Sequence, residues 1–143
     1  MFDLILFFFW DANLIIPGEI SHAIIFFAFF IILATTLNFG FFIGDIDNIN
    51  HHHPFELFFA IIVNIIALTL KLGTRTQIDS IQLATSGVSC LQLIIGSIIW
   101  FFASQSGNID IYLSSIVSLS GGAFLANLFS VILLIIDAII YKR

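Results

Sequence analysis

The chain has 143 residues, 60% of them hydrophobic and 9% charged, with a mean hydropathy of +1.16 and a formal net charge of −5. A soluble domain carries about a quarter charged residues to cover its water-facing surface, so this composition excludes a soluble fold and points to an integral membrane protein. The acidic balance also excludes nucleic acid as a partner, which calls for clustered Lys and Arg.

Each crossing of a hydrocarbon core about 30 Å thick takes about 20 helical residues. The opening stretch 1–19, MFDLILFFFWDANLIIPGE, has an apolar run at 2–10 that is too short to cross. No Lys or Arg precedes that run and no A-x-A-like site follows, so it does not read as a signal peptide. Asp3, Trp10, Asp11 and Pro17 fit a short interfacial segment at headgroup level.

A first span is expected at about 20–43, with Phe26, Phe27, Phe29 and Phe30 spread around its circumference as on a lipid-facing helix. Its end, ATTLNFGFFIGD, has a Thr pair, an aromatic, Gly and Gly-Asp in the order of a potassium-channel filter. The spacing does not fit, because a carbonyl filter needs one short continuous loop. A polar helix end is the expectation. The next break, GDIDNINHHHP, holds His51, His52 and His53. Adjacent residues seldom converge on one metal, so they stand as weak metal candidates or as a loop that gains charge near pH 6.5.

Pro54 then suits the first position of a helix, where its missing N–H costs nothing, and the second span is expected at about 55–72. At about 100° per residue, Glu56, Ala60, Asn64, Ala67 and Lys71 fall on one face about 80° wide. The third span, about 78–103, gathers Asp79, Gln82, Ser86, Ser89, Cys90 and Ser97 on a sector of about 100°, with Gln92 near its middle. Cys90 is alone, which excludes an internal disulfide, and reads as a small buried residue.

The fourth span, about 111–141, opens on Ser114, Ser118 and Gly121 or Gly122, a small-residue series that lets backbones approach. Asn127, Ser130 and Asp137 form another face.

Four basic residues orient the chain. Lys71 and Arg75 flank one loop, Lys142 and Arg143 end the chain, and the loops at 44–54 and 104–110 have none. The positive-inside rule puts residues 73–77 and both termini in the cytoplasm of a cell inner membrane. Lys71 or Arg75 is expected to pair with Asp79, and Asp137 with the same bases or Lys142.

Two readings of the mid-membrane polar groups stay open. They serve as interhelical contacts, worth about 0.6 kcal/mol each in measured systems, or they line a polar path for an ion. In the second reading Asn64 and Asn127 form the constriction and Glu56 and Asp79 the mouths. Four helices are thin for a pore in one chain, so a path on a symmetry axis and a homo-oligomer are expected. Ser86, Ser89 and Cys90 have no histidine at their depth, and no phosphate loop, haem motif or redox cysteine pair occurs, so neither an enzyme nor a bound cofactor is expected.

ATTLNFGFF, PFELFFAIIVNIIALTLKLGTR, LATS and GGAFLANLFSVILLIIDA together resemble a family of short bacterial four-span membrane proteins catalogued as a domain of unknown function. The resemblance runs from Thr35 over about four-fifths of the chain. Its most specific stretch is the helix with an opening acid, a central Asn and Leu-Lys-Leu-Gly-x-Arg. The first twenty residues and the histidine run stand outside it. The resemblance implies four spans and an association with potassium transport.

The expectation is therefore one all-α transmembrane domain, 1–143, a four-helix bundle with an interfacial N-terminal segment. It acts as a channel-like or auxiliary subunit for monovalent cations, or as a non-conducting scaffold in a larger membrane complex.

Overall fold

A computed structural model describes residues 22–46, 48–73 and 76–141. The expected interfacial segment 1–19, together with Asp47, Arg75, Lys142 and Arg143, lies outside the described residues. Among the described residues the fold has four α-helices, α1 (His22–Phe42), α2 (Pro54–Lys71), α3 (Gln77–Ser106) and α4 (Ile109–Tyr141), and one turn of 3-10 helix at Ile49–His51. Each is long and apolar enough to cross a membrane. The chain is an all-α, four-span membrane protein whose outer surface meets lipid.

The helix ends follow local chemistry. Pro54 opens α2 with His53 as the residue before it. Thr76 caps α3: its hydroxyl accepts the Asp79 N–H at 3.1 Å and donates to the Asp79 carboxylate at 2.6 Å. This is a capping box with Asp in the place of Glu. Gly107, at φ +69, ends α3 in the left-handed region that L side chains disfavour. Asn108 then donates to the Ala103 carbonyl at 3.0 Å.

The α3–α4 connection is thus shorter than the polar stretch 104–110 suggests, because SQS continues α3. The 30 residues of α3 and 33 of α4 span about 45 and 50 Å. Both exceed a hydrocarbon core of about 30 Å, so these two helices tilt or project beyond it.

Short loops make sequential helices antiparallel. Each helix packs on its chain neighbours, and α1 packs on α4, which closes the ring. One apolar cluster (Phe41, Leu57, Leu93, Leu113, Ile116, Val117) fills the end that carries the histidine loop. A smaller one, Phe27, Ile31 and Ala67, fills the Lys71 end.

The all-lipid reading of the first span is corrected. Phe27, Ile31, Ala34, Asn38 and Phe41 form a buried stripe at helical spacing, while Phe26 and Phe29 face outward. The ATTLNFGFF stretch is regular helix to Phe42, with Thr35 and Thr36 donating to the Ile31 and Leu33 carbonyls. It presents no row of filter carbonyls.

Candidate functional site

Every helix delivers one fully buried carboxamide to the bundle interior. These are Asn38 of α1, Asn64 of α2, Gln82 of α3 and Asn127 of α4, each with 0% of its surface exposed. Hydrocarbon offers no hydrogen bonds, so such groups face inward and seek partners there. The side chains around them on the same faces are small: Ala34, Ala60, Ala67, Ser86, Ser120 and Ala123 are also buried.

The contacts set three tiers. Near the histidine end, the Ser120 hydroxyl donates to the Asn38 backbone carbonyl at 3.3 Å. In the middle, Ser89 donates to the Asn64 side-chain oxygen at 2.8 Å, and the Asn64 amide donates to the Ala60 carbonyl at 2.7 Å. Toward the Lys71 end, the Gln82 amide donates to the Ser130 carbonyl at 3.3 Å, and Thr85 and Ser130 share a hydroxyl contact. The Gln82–Ser130 bond and the packing of Gly96 on Leu119 fix the α3–α4 register, which brings Ser86 level with Asn127.

These contacts do not satisfy the whole set. Both side-chain polar atoms of Asn38 and of Asn127 are buried without a hydrogen-bond partner, as are Ser86 Oγ, Gln82 Oε1, Gln92 Oε1 and Glu56 Oε2. Buried polar groups in proteins are overwhelmingly paired with protein or ordered water. An unpaired carboxamide needs both a donor and an acceptor, a demand that water or a hydrated ion meets.

An ion pair lies at the Lys71 end of the bundle. Lys71 Nζ lies 2.7 Å from Asp79 Oδ1, with the two side chains 6% and 16% exposed, and the ammonium sits 4.2 Å from the Phe27 ring centre. The pairing expected of Lys71 or Arg75 is made by Lys71; Asp137 lies half-buried on α4.

Other expected residues take different places. Glu56 lies in the α1–α2 seam, its carboxylate against Gly40, and not at an axial mouth. Gln92 occupies the α3–α4 seam beside Gly122, and Gly121 faces the Phe42 ring. Ser114 and Ser118 are exposed, so the glycines serve close packing within the chain and those serines do not. With Ser115 and Leu119 they line an open hollow of about 450 Å³. The three histidines do not converge: His51 and His53 are exposed and His52 is buried. No cluster of three or more metal-ligating side chains occurs among the described residues.

The burial of Asn38 and Ser120, and their contact between α1 and α4, were missed by sequence reasoning. α1 is apolar on all sides, so its buried face shows no hydrophobic asymmetry. Its available signal was the register of Ala34, Thr35 and Asn38 among large residues.

The chain belongs to DUF6394, a family of unknown function, whose model matches residues 51–138. The match covers α2, α3 and most of α4 and begins at His51, so the histidine run lies within it and the ATTLNFGFF stretch outside. No curated protein and no solved structure matches the chain.

Proposed function

We propose that this protein is a channel-like or auxiliary subunit for monovalent cations in a bacterial inner membrane, with both termini cytoplasmic. The observation that carries this reading is the set of four buried carboxamides, one per helix, with the amides of Asn38 and Asn127 lacking protein partners. Carboxamide oxygens are neutral dipoles that replace part of a cation's hydration shell without holding it as firmly as a carboxylate. A neutral lining suits a monovalent ion better than a divalent one, which favours fixed carboxylates.

The Lys71–Asp79 pair then acts as the gate at the cytoplasmic end, since a cation passing there must displace or separate two neutralised charges. The orientation follows the positive-inside rule. The reading assigns the protein no catalytic step. Assembly with further copies uses the exposed Ser114–Ser118 face of α4. The burial of these groups within one chain supports a path that needs no symmetry axis.

Potassium or rubidium uptake into liposomes carrying the purified protein tests the proposal. Flux is expected from the unaltered chain, at least tenfold lower flux from Asn127→Leu, and altered gating from Asp79→Asn. No flux, or flux indifferent to both changes, overturns it.

A second reading, a non-conducting accessory subunit, draws on the same exposed hollow at Ser114, Ser115 and Ser118. It expects a larger membrane complex to co-purify and to be lost on Ser118→Leu, without any flux of its own.

A further inference from the structure

We infer that His51 and His52 together form a proton-dependent cap on the C-terminal end of α1, with His52 holding the loop to α2 in place as an imidazolium. Both ring nitrogens of the buried His52 face backbone carbonyl oxygens: Nδ1 lies 2.5 Å from Phe41 O and Nε2 lies 3.1 Å from Asp45 O. A carbonyl oxygen accepts only. A neutral imidazole has one N–H, so it makes one of these bonds; the doubly protonated ring makes both.

The helix end offsets part of what burial of that charge costs, His52 being 1% exposed. Phe41 is in the last turn of α1, where carbonyls lack their helical partners and the helix dipole presents its negative end. The residue that would supply the next helical N–H to Phe41 is Asp45, but its N–H goes to His51 Nδ1 at 3.2 Å. The neighbouring histidine therefore has the opposite requirement, since Nδ1 must keep its lone pair to accept. One ring works as a donor at both ends and the other as an acceptor.

The turn is shaped for this exchange. Gly44 has φ +119, and a Cβ there would come within 2.9 Å of the His51 Cβ. Any larger residue would push His51 from Asp45. The His52 ring also packs on Phe41, centroids 5.4 Å apart, and Phe41 packs in turn on Trp100 of α3. The cap is thereby joined to the core at this end of the bundle.

The charged and titratable groups around it are few. Asp45 has an exposed carboxylate 3.7 Å from His51 Nδ1. His53 precedes α2 and is exposed, Glu56 lies in the first turn of α2 against Gly40, and Asp110 is exposed at the start of α4. None of these is bonded to His52; Asp47 lies outside the described residues. Loss of one His52 proton releases one carbonyl and loosens the loop. A proton on His51 Nδ1 would remove the acceptor for Asp45 N–H.

The inference does not rest on ion transport and is tested separately, with the full chain in lipid nanodiscs and histidine labelled with ¹⁵N. At pH 7 the His52 ring, assigned by its loss in His52→Gln, is expected to show two protonated nitrogens. The His51 ring, assigned by its loss in His51→Asn, is expected to keep Nδ1 unprotonated, as acceptor of the Asp45 N–H. A singly protonated His52 titrating together with His22 and His53 would overturn the proposal. Hydrogen exchange on the unaltered chain gives a second readout. After correction for intrinsic rates, amides of residues 43–53 should exchange at least fivefold faster at pH 8 than at pH 6.5, and unchanged protection would also overturn it.

Discussion

Lys71 is the costliest side chain to place in this bundle, and its position shows what makes it tolerable. The ammonium meets Asp79 at 2.7 Å and the face of Phe27, while Thr76 holds the second carboxylate oxygen. Removing one member of such a pair strands the other, which typically costs about 3–5 kcal/mol, whereas replacing both by apolar groups is often neutral. Asp79→Asn is therefore expected to lower the thermal midpoint in detergent sharply, and Lys71→Met combined with Asp79→Leu to recover most of the loss. The Asn64–Ser89 bond at 2.8 Å is a smaller matter. A double-mutant cycle with Asn64→Leu and Ser89→Ala should return a coupling of about 0.6 kcal/mol. A value above about 2 kcal/mol would mark it as part of a larger polar network than the contacts describe.

Among the elements, the glycines separate packing from propensity. A Cβ on Gly121 would stand 2.7 Å from the Phe42 ring, while one on Gly87 of α3 meets nothing within 4 Å. Both lie inside helices, where Gly is less favourable than Ala by about 0.5–1 kcal/mol. Gly87→Ala should thus raise stability by about that amount. Gly121→Ala should lower it by about 1–3 kcal/mol, the cost of overpacking, unless Phe42 swings into lipid. Chemical unfolding of the two variants side by side distinguishes these outcomes. The sequence showed the α2 face clearly because Glu56, Asn64 and Lys71 interrupt an oily helix at helical spacing. It hid the α1 face because phenylalanine and isoleucine occupy both its lipid side and its core side.

At the scale of the whole molecule, each of the four described helices buries one carboxamide within the bundle. The proposed assembly with further copies then uses an exposed surface. The exposed Ser114–Ser118 face is the place to look. Ser118→Leu is expected to reduce the particle mass measured in mild detergent while leaving the fold and thermal midpoint unchanged. A mass equal to that of the unaltered protein would remove that face from the assembly.

Span number, span positions, the Pro54 start and the inward face of α2 were determined by the sequence itself. They depend on hydrophobic length and local periodicity, which a linear reading contains. The Lys71–Asp79 pair was within reach for the same reason, since the short connection between α2 and α3 brings those residues together. Tertiary structure alone decided that Asn38 is buried as fully as Asn64, Gln82 and Asn127, that Gly121 and Gly122 serve packing inside the chain, and that Glu56 sits in a seam. Those facts depend on which helix lies beside which and at what rotation, and a helix that is apolar all round carries no mark of its own rotation. The histidines divide along the same line. Their loop position was plain in the sequence, but the opposite hydrogen-bonding roles of His51 and His52 arise only where the chain folds back on the carbonyls ending α1.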